Sequence, residues 1–416
     1  MNGAHDVIVV GGGASGMMAA AVAARRGKRV LLLEKNARLG EKLSISGGGR
    51  CNITNAEFDT RAFLARYGAA ADFLHSAFAQ FGVQDTFDFF EDLGLPLKVE
   101  AGKRAFPASE RATDVVRALI EALRAGRAEV RTGTAVGQII AKDGRIETII
   151  AGGTEYRAAS YVFSTGGVSH PETGSTGDGF GWLRELGHAV AEPTPTIVPL
   201  ATKETWGREL SGVSIDGVKI AFEREAFPGE KPKRFSREGR VLFTHFGISG
   251  PTVLNAAGKV ADLLHEGAVS ARIDLYPALD AGHLDREITG RFDANKNKSA
   301  RNALKEFLPP GTPQVFLKLA GLDPEKKAHS VTRDERRALA NLLKSLPLTI
   351  AGLMGFERAV VADGGVPLVE IDMRTMRSKK TGNLFVTGDL LNIERPSGGY
   401  SLQLCWTTGY VAGSAV

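Results

Sequence analysis

Two cysteines occur in 416 residues, Cys51 and Cys405, and neither belongs to a CxxC or CxxxxC pair. A disulfide scaffold and a dithiol relay are therefore excluded, and a reducing cytoplasm is the expected compartment. No stretch of about 18 uninterrupted apolar residues occurs, so neither a membrane-spanning helix nor a targeting segment is expected. The apolar residues 7–10 and 17–24 are split by Gly11-Gly12-Gly13. Internal repeats and low-complexity tracts are missing. So is an excess of one charge: 52 Lys and Arg face 47 Asp and Glu, for a net charge of +5. That mild balance permits anionic partners and demands none.

Glycine is abundant instead, 50 of 416 residues, about 12% where about 7% is usual. The first cluster is the informative one. Residues 6–10, DVIVV, read as a buried parallel strand. Gly11, Gly13 and Gly16 then spell GxGxxG. Residues 17–25 read as a helix, residues 30–33 as a second strand, and Glu34 follows it. In this order each residue has a task. Gly11 permits the sharp turn, Gly13 lets a diphosphate approach the backbone, and Gly16 lets the helix pack on the strand. Ala14 and Ser15 lie in the turn that leads into the helix, whose N-terminal free N–H groups and dipole favour an anion. Glu34 is placed to accept from a ribose hydroxyl and would repel a 2′-phosphate.

FAD or NAD would fit such a turn. Residues 35–52 favour FAD, because they carry basic Lys35 and Lys42 and a second glycine cluster around Gly48. That segment can run beside an extended cofactor and bring Arg50, Cys51 and Asn52 toward a flavin ring.

Farther on, residues 61–81 and 112–125 have helical periodicity. Residues 130–136, 138–141 and 146–151 read as strands, the last two joined by an Asp143-Gly144 hairpin turn. The strand 161–164 runs into Thr165-Gly166-Gly167, a second place for backbone to meet a cofactor. A helix is expected over 179–186, and Pro193, Pro195 and Pro199 then mark a boundary. Residues 200–276 read as β-rich, with strands at 213–222, 240–244 and 269–275 and a helix at 252–261. Residues 285–346 read as helical and basic, and strands resume after 348. A strand ending in Gly388-Asp389 offers a third cofactor contact. Gly398 and Gly399 precede a last helix at 402–414, where their N–H groups can meet a flavin carbonyl.

The segments at 8–20, 40–55, 165–179, 242–251, 364–366 and 384–400 together resemble the BaiN/YhiN-like bacterial FAD-dependent oxidoreductases. These are also called the aminoacetone oxidase family FAD-binding proteins, within the glutathione-reductase-like flavoproteins. The resemblance implies an α/β fold with a Rossmann-like FAD/NAD(P)-binding domain of glutathione-reductase type. It places that domain at 1–191 and 350–416. The insert at 192–349 would comprise a β-rich, barrel-like part (192–276) and a small helical part (277–349). It further implies that Val136 meets the adenine through its backbone. Gly388 and Asp389 would meet the ribityl chain, and Gly398, Gly399, Tyr400 and Leu402 the flavin. The sequence departs from the family at 394–401, ERPSGGYS, where relatives carry Asp-Gly-x-x-Gly-Gly-Tyr-Asn. That departure marks a subgroup and leaves the substrate open.

With no second GxGxxG, hydride is expected to pass directly between flavin and a small organic molecule. NADH or NADPH is expected to visit only as a transient donor, and the reverse reaction, substrate dehydrogenation, is equally allowed. Arg50, Cys51 and His245 are the catalytic candidates: an orienting cation, a thiol and a proton donor. Each has a plainer reading: a structural ion pair, a buried spectator and a structural hydrogen bond. The same holds for His170. No metal site is expected. The basic segments 295–305, 326–337 and 374–380 keep an RNA-modifying flavoprotein open, although aromatics are sparse there and a small-molecule substrate is preferred to nucleic acid. A non-catalytic flavin-binding protein is the other alternative. The oligomeric state is not legible.

Overall fold

The computed structural model describes residues 5–225 and 230–416. The chain forms two compact units, 5–195 with 360–416 and 196–359. The strands of their main sheets, in chain order, are β1 (His5–Val10), β2 (Val30–Leu33), β3 (Glu129–Arg131) and β4 (Ala158–Phe163). Then come β5 (Leu200–Thr202), β6 (Ser214–Arg224), β7 (Arg234–Thr244), β8 (Gly247–Ser249), β9 (Val269–Asp274) and β10 (Leu346–Leu353). The last are β11 (Ile371–Asp372), β12 (Arg377–Ser378) and β13 (Leu384–Val386).

The first unit is built on a seven-stranded sheet in the order β11-β12-β13-β4-β1-β2-β3. Its central pairs, β13·β4, β4·β1, β1·β2 and β2·β3, are all parallel. The strands Val7–Val10 and Val30–Leu33 are buried throughout, which explains their uninterrupted apolar sequence. From β1 the chain moves to β2 on one side and later to β4 on the other. The topological switch point therefore lies between β1 and β4, where ligands bind in open parallel sheets.

Helix α1 (Ala14–Arg25) follows β1, α2 (Glu41–Ile45) follows β2, and α3 (Ala112–Ala125), α4 (Asp178–Glu185) and α5 (Tyr400–Ala415) come later. Every residue of α1 from Ser15 to Ala24 is buried. Small side chains make this possible. A Cβ on Gly409 would lie 2.5 Å from the Ser15 carbonyl oxygen, and one on Gly413 would lie 2.4 Å from that of Ala19. The two helices thus meet backbone to backbone. Trp406 of α5 is fully buried and donates through Nε1 to the Ile53 carbonyl at 2.9 Å.

The second unit is a closed six-stranded barrel in the order β5-β8-β7-β6-β9-β10, with β5 pairing back to β10. It has its own apolar core, including Phe222, Phe243 and Ile273. Helices Ala281–Ala294, Pro313–Leu319 and Arg333–Lys344 follow the β9 strand. The mixed fold with a barrel insert agrees with the sequence reading. Both boundaries differ, and the start lies at 196 where 192 was expected. The insert was expected to end at 349, but β10 runs to Leu353 and pairs with β9, so the unit ends at 359.

Three further details differ. The helix expected over 61–81 is three pieces, Thr60–Leu64, Ala65–Ala70 and Ala71–Phe78, because Gly68 adopts φ 54°, ψ −126°. The helix expected over 252–261 is split into Pro251–Leu254 and Ala257–Glu266. The strand expected over 130–136 is only Glu129–Arg131; a new strand begins at Val136 and pairs antiparallel with Arg145–Ala151. The turn between those two strands is Asp143-Gly144, both at positive φ, as a two-residue hairpin requires.

Gly16 and Gly13 provide an internal comparison. Added to Gly16, a Cβ would stand 1.9 Å from the Gly11 carbonyl oxygen; added to Gly13, it would meet nothing within 4 Å. Gly16→Ala is expected to lower the stability of the flavin-free protein by at least about 2 kcal/mol. Gly13→Ala, which changes only a helix cap, is expected to lower it by under about 1 kcal/mol. Urea unfolding of both variants measures this, and equal losses would contradict the packing argument.

Candidate functional site

The site starts where β1 and β4 end. Gly11 has φ +104°, and a Cβ there would stand 2.4 Å from the Ser164 carbonyl oxygen at the end of β4. The chain then enters α1 through Gly13, with no side chain capping the helix. A Cβ on Gly13 would meet nothing within 4 Å, so the approach to the first turn of α1 is open there. Free donors at a helix N-terminus, beside an approach open to backbone, suit a diphosphate.

Glu34 closes β2 and is buried. Its Oε2 accepts from the Gly12 N–H at 2.6 Å and its Oε1 from the Asn36 N–H at 2.7 Å. A carboxylate has about four acceptor positions, so capacity remains for a ribose hydroxyl. A cleft opens here, lined by Val10, Gly11, Glu34, Val136, Thr165 and Trp182 among others. Thr165 belongs to this lining, but its Oγ1 is buried against Gly179 of α4 and has no hydrogen-bond partner among the described residues. Lys35 also lines the cleft. Its Nζ donates to Thr176 Oγ1 and to Asp178 Oδ2, the latter at 2.7 Å, at the start of α4. Gly166 follows Thr165 at φ +73°, beside Ser175.

On the other side of the turn, the Gly40 N–H donates to the Gly12 carbonyl at 2.9 Å. That bond ties α2 to the glycine turn and places Lys42. Lys42 Nζ donates to Ser169 Oγ at 2.5 Å and lies 3.4 Å from Asp389 Oδ2. Asp389 is reached through Gly388, where a Cβ would lie 2.8 Å from Ser15 Oγ. So Asp389 sits beside the first turn of α1. Arg395 Nη2 donates to its Oδ1 at 2.7 Å. Burial alone would raise the Asp389 carboxyl, but the Arg395 and Lys42 charges outweigh it and hold the group below its usual value.

The segment after α2 is tightly turned. Gly47, Gly48 and Gly49 have φ of +58°, +70° and +82°, and Gly48 and Gly49 are exposed. Arg50 is paired with Glu100 and, at 3.2 Å, with Glu110, and its guanidinium lies 4.2 Å from the Phe106 ring centre. Cys51 is fully buried, and burial pushes its thiol up to about 12. That is a protonated thiol at neutral pH.

The Asn52 amide donates to the Ala105 and Thr54 carbonyls at 3.1 and 3.0 Å, and its oxygen accepts from the Gly399 N–H at 3.0 Å. Asn55 Nδ2 donates to the Gly398 carbonyl at 3.2 Å. Residues 52–55 are thereby clamped to the start of α5. Gly399 is required there, since a Cβ would stand 2.2 Å from the Thr54 carbonyl carbon. Tyr400 is buried with its ring 4.7 Å from that of Phe63, and Leu402 is half-buried.

The first unit thus brings together residues 11–16, Glu34, Lys35, Lys42, Val136, Thr165, Gly166, Gly388 and Asp389 around one turn. Residues 50–52 and 398–402 form the clamped segment. His170 has φ +53° and bonds Glu172 Oε1 through Nδ1 at 2.8 Å. His245 lies in the second unit, exposed in the turn between β7 and β8, with its ring edge against Phe246.

Sequence reasoning missed two contributors. Gln403 is fully buried and joins Thr54 (2.6 Å), Thr86 (3.0 Å) and Thr407 (3.1 Å). A lone glutamine in a helix gives no signal of this. Arg395 gave one, since it lies in the segment that departs from the family pattern. Among the described residues, no group of three or more His, Cys, Asp or Glu could hold a metal, and no helix is long and apolar enough to cross a membrane.

Known proteins are similar to this chain over most of its length. Residues 5–415 match the model of the HI0933-like protein Rossmann domain. The 3-dehydro-bile acid delta(4,6)-reductase of Clostridium scindens is 30% identical over 388 residues, 93% of this chain and 92% of the relative. The ribosomal RNA dihydrouridine synthase of Escherichia coli K12 is 28% identical over 92% of this chain and 91% of the relative. In fold, the chain is similar to the 3-ketosteroid-delta4-(5alpha)-dehydrogenase of Rhodococcus jostii RHA1. The TM-score is 0.52 at 16% identity, over 100% of this chain and 97% of that one. The chain belongs to the HI0933-like Rossmann family, the BaiN/YhiN-like group of FAD-dependent oxidoreductases that its motifs resemble.

Proposed function

We propose that the protein is an FAD-dependent reductase that adds two hydrogens across a carbon–carbon double bond conjugated to a carbonyl in a small organic molecule. NADH or NADPH would serve as a transient donor. The observation that carries the FAD part of this reading is the uncapped start of α1 at Gly13, beside the cleft that buried Glu34 lines. Bound there, FAD supplies reversible hydride exchange at N5 of its ring. The chain's own residues bind and orient. The Ala14 and Ser15 N–H groups hold the diphosphate, Glu34 the adenosine ribose, Asp389 the ribityl hydroxyls, and the clamped residues 52 and 398–400 the ring end. His245 remains the candidate proton donor and Arg50 the candidate orienting cation, although Arg50 already has two carboxylate partners.

The choice of a conjugated double bond is supported by the names of two relatives. A delta(4,6)-reductase and a dihydrouridine synthase both name products richer in hydrogen at a carbon–carbon bond. The second name also favours a second reading, an RNA substrate. Lys296, Lys298 and Lys305 are exposed and, among the described residues, have no carboxylate partner. The two readings separate by experiment. Reduced protein is mixed without oxygen with a Δ4-3-ketosteroid or with unmodified ribosomal RNA, and the product is weighed for a gain of two hydrogens. Gain in the steroid supports the small-molecule reading. Gain in RNA, with retention that weakens steeply with salt, overturns it.

Two substitutions probe the residues. Glu34→Arg puts a cation where the ribose acceptor stands and is expected to lower flavin content at least tenfold; unchanged content would remove Glu34 from the site. Cys51→Ser is expected to keep flavin content and turnover within about twofold, because the buried thiol is protonated. A hundredfold loss of turnover with flavin retained would make Cys51 a reacting group.

A further inference from the structure

The cleft that Glu34 lines encloses about 50 Å³, whereas pockets for small organic ligands measure about 300–1,000 Å³. A nucleoside enters only if one wall moves. Most walls are fixed. Val10 and Leu33 end buried strands, the Thr134 N–H donates to the Glu34 carbonyl at 2.9 Å, and Val136 pairs with Ala151. The remaining wall includes Gly174 and Asp178. Both belong to the polar segment 170–178 that leads from β4 into α4.

That segment is held differently. Among the described residues, the backbone hydrogen bonds of residues 171–177 stay within the segment or run into α4, so none joins it to the sheet. Its polar ties across the cleft come from the side chains of the two residues after Glu34. Lys35 Nζ donates to Thr176 Oγ1 and, at 2.7 Å, to Asp178 Oδ2. Asn36 Nδ2 donates to the Thr173 carbonyl at 2.9 Å. The segment lies directly on Asn36, since a Cβ on Gly174 would stand 2.6 Å from that Nδ2. Lys35 and Asp178 keep 29% and 43% of their side chains exposed, and such an ion pair opens at little cost. Gly174 and Gly177, at φ +93° and +82°, stand on either side of buried Ser175 and supply pivots that few other residues can.

We propose that residues 170–178 are a latch over the adenosine end of the cleft. The latch swings off Lys35 and Asn36 to admit the adenosine half of a dinucleotide and closes on them again over the bound ligand. The inference rests on the FAD reading above and adds an order of events to it: opening precedes binding.

Asn36→Ala removes one tether and keeps the backbone N–H that orients Glu34. FAD uptake by flavin-free protein, and FAD release, are followed by flavin fluorescence. Uptake and release are both expected to be about fivefold faster in the variant, as loss of one hydrogen bond from the closed latch implies, with the FAD Kd little changed. Faster release with unchanged uptake would make Asn36 an ordinary contact and overturn the latch. Two unchanged rates would also overturn it. A covalent lock tests the same motion should that variant fail to fold. Asn36→Cys and Thr173→Cys are combined and joined by a disulfide; Cys51 and Cys405 are buried and do not compete. The locked flavin-free protein is expected to take up no FAD until the disulfide is reduced, and equal uptake before and after reduction would overturn the proposal. Wild-type protein that binds no FAD would sink the parent reading, and this one with it, whereas tight wild-type binding with a lock that changes nothing sinks this one alone.

Discussion

The carbonyl oxygen of Gly11 lies 1.9 Å from where a Cβ on Gly16 would be, and the Ser164 carbonyl lies 2.4 Å from where one on Gly11 would be. Three backbone segments, the ends of β1 and β4 and the start of α1, are pressed together at one point. No side chain can enter that contact. It fixes the helix axis against the sheet and leaves the first N–H groups of α1 outside the helix's own hydrogen bonding, with no side-chain cap among the described residues. The same closeness recurs along the helix, where Gly409 and Gly413 of α5 meet the Ser15 and Ala19 carbonyls. Helix α1 is therefore clamped between a sheet and a second helix, and its one open end faces the site.

Other parts of the site are arranged around that end by hydrogen bonds to the turn. Glu34 is oriented by the Gly12 and Asn36 N–H groups. Residue 40 bonds the Gly12 carbonyl and so carries Lys42 into position. Gly388 rests on Ser15 and carries Asp389 with it. Three binding groups, Glu34, Lys42 and Asp389, are thus referenced to one rigid turn, which is what preorganised binding of an extended ligand needs.

The parallel sheet, the glycine turn, Glu34 and the Gly388-Asp389 strand end were legible in the sequence because each has a local signature: β-branched runs, fixed glycine spacing, an acid at a strand end. The barrel insert was legible as a β-rich stretch after a proline cluster, but its end was not. Residues 346–353 look like any short strand, and pairing with β9 on one side and β5 on the other assigns them to the barrel. Helix breaks at Gly68 and near 255 were missed because periodicity continues across them. Gln403 was missed because its burial depends on Thr54, a partner distant in sequence that no spacing rule reports. Arg395 is bonded to nearby Asp389, and its signal was the departure from the family pattern around it. Cys51 was legible in two ways, as a reactive thiol and as a buried spectator; it is fully buried, and burial pushes its thiol up to about 12.

The central claim is that the open end of α1, with Glu34 and Asp389 on its flanks, holds FAD. The most direct test is the absorbance spectrum of the purified protein, followed by identification of any released chromophore by mass. The account predicts the two visible bands of oxidised flavin, FAD as the released species, and reconstitution of stripped protein by FAD but not by FMN. A colourless protein that takes up no FAD, or one that binds FMN equally well, would contradict it.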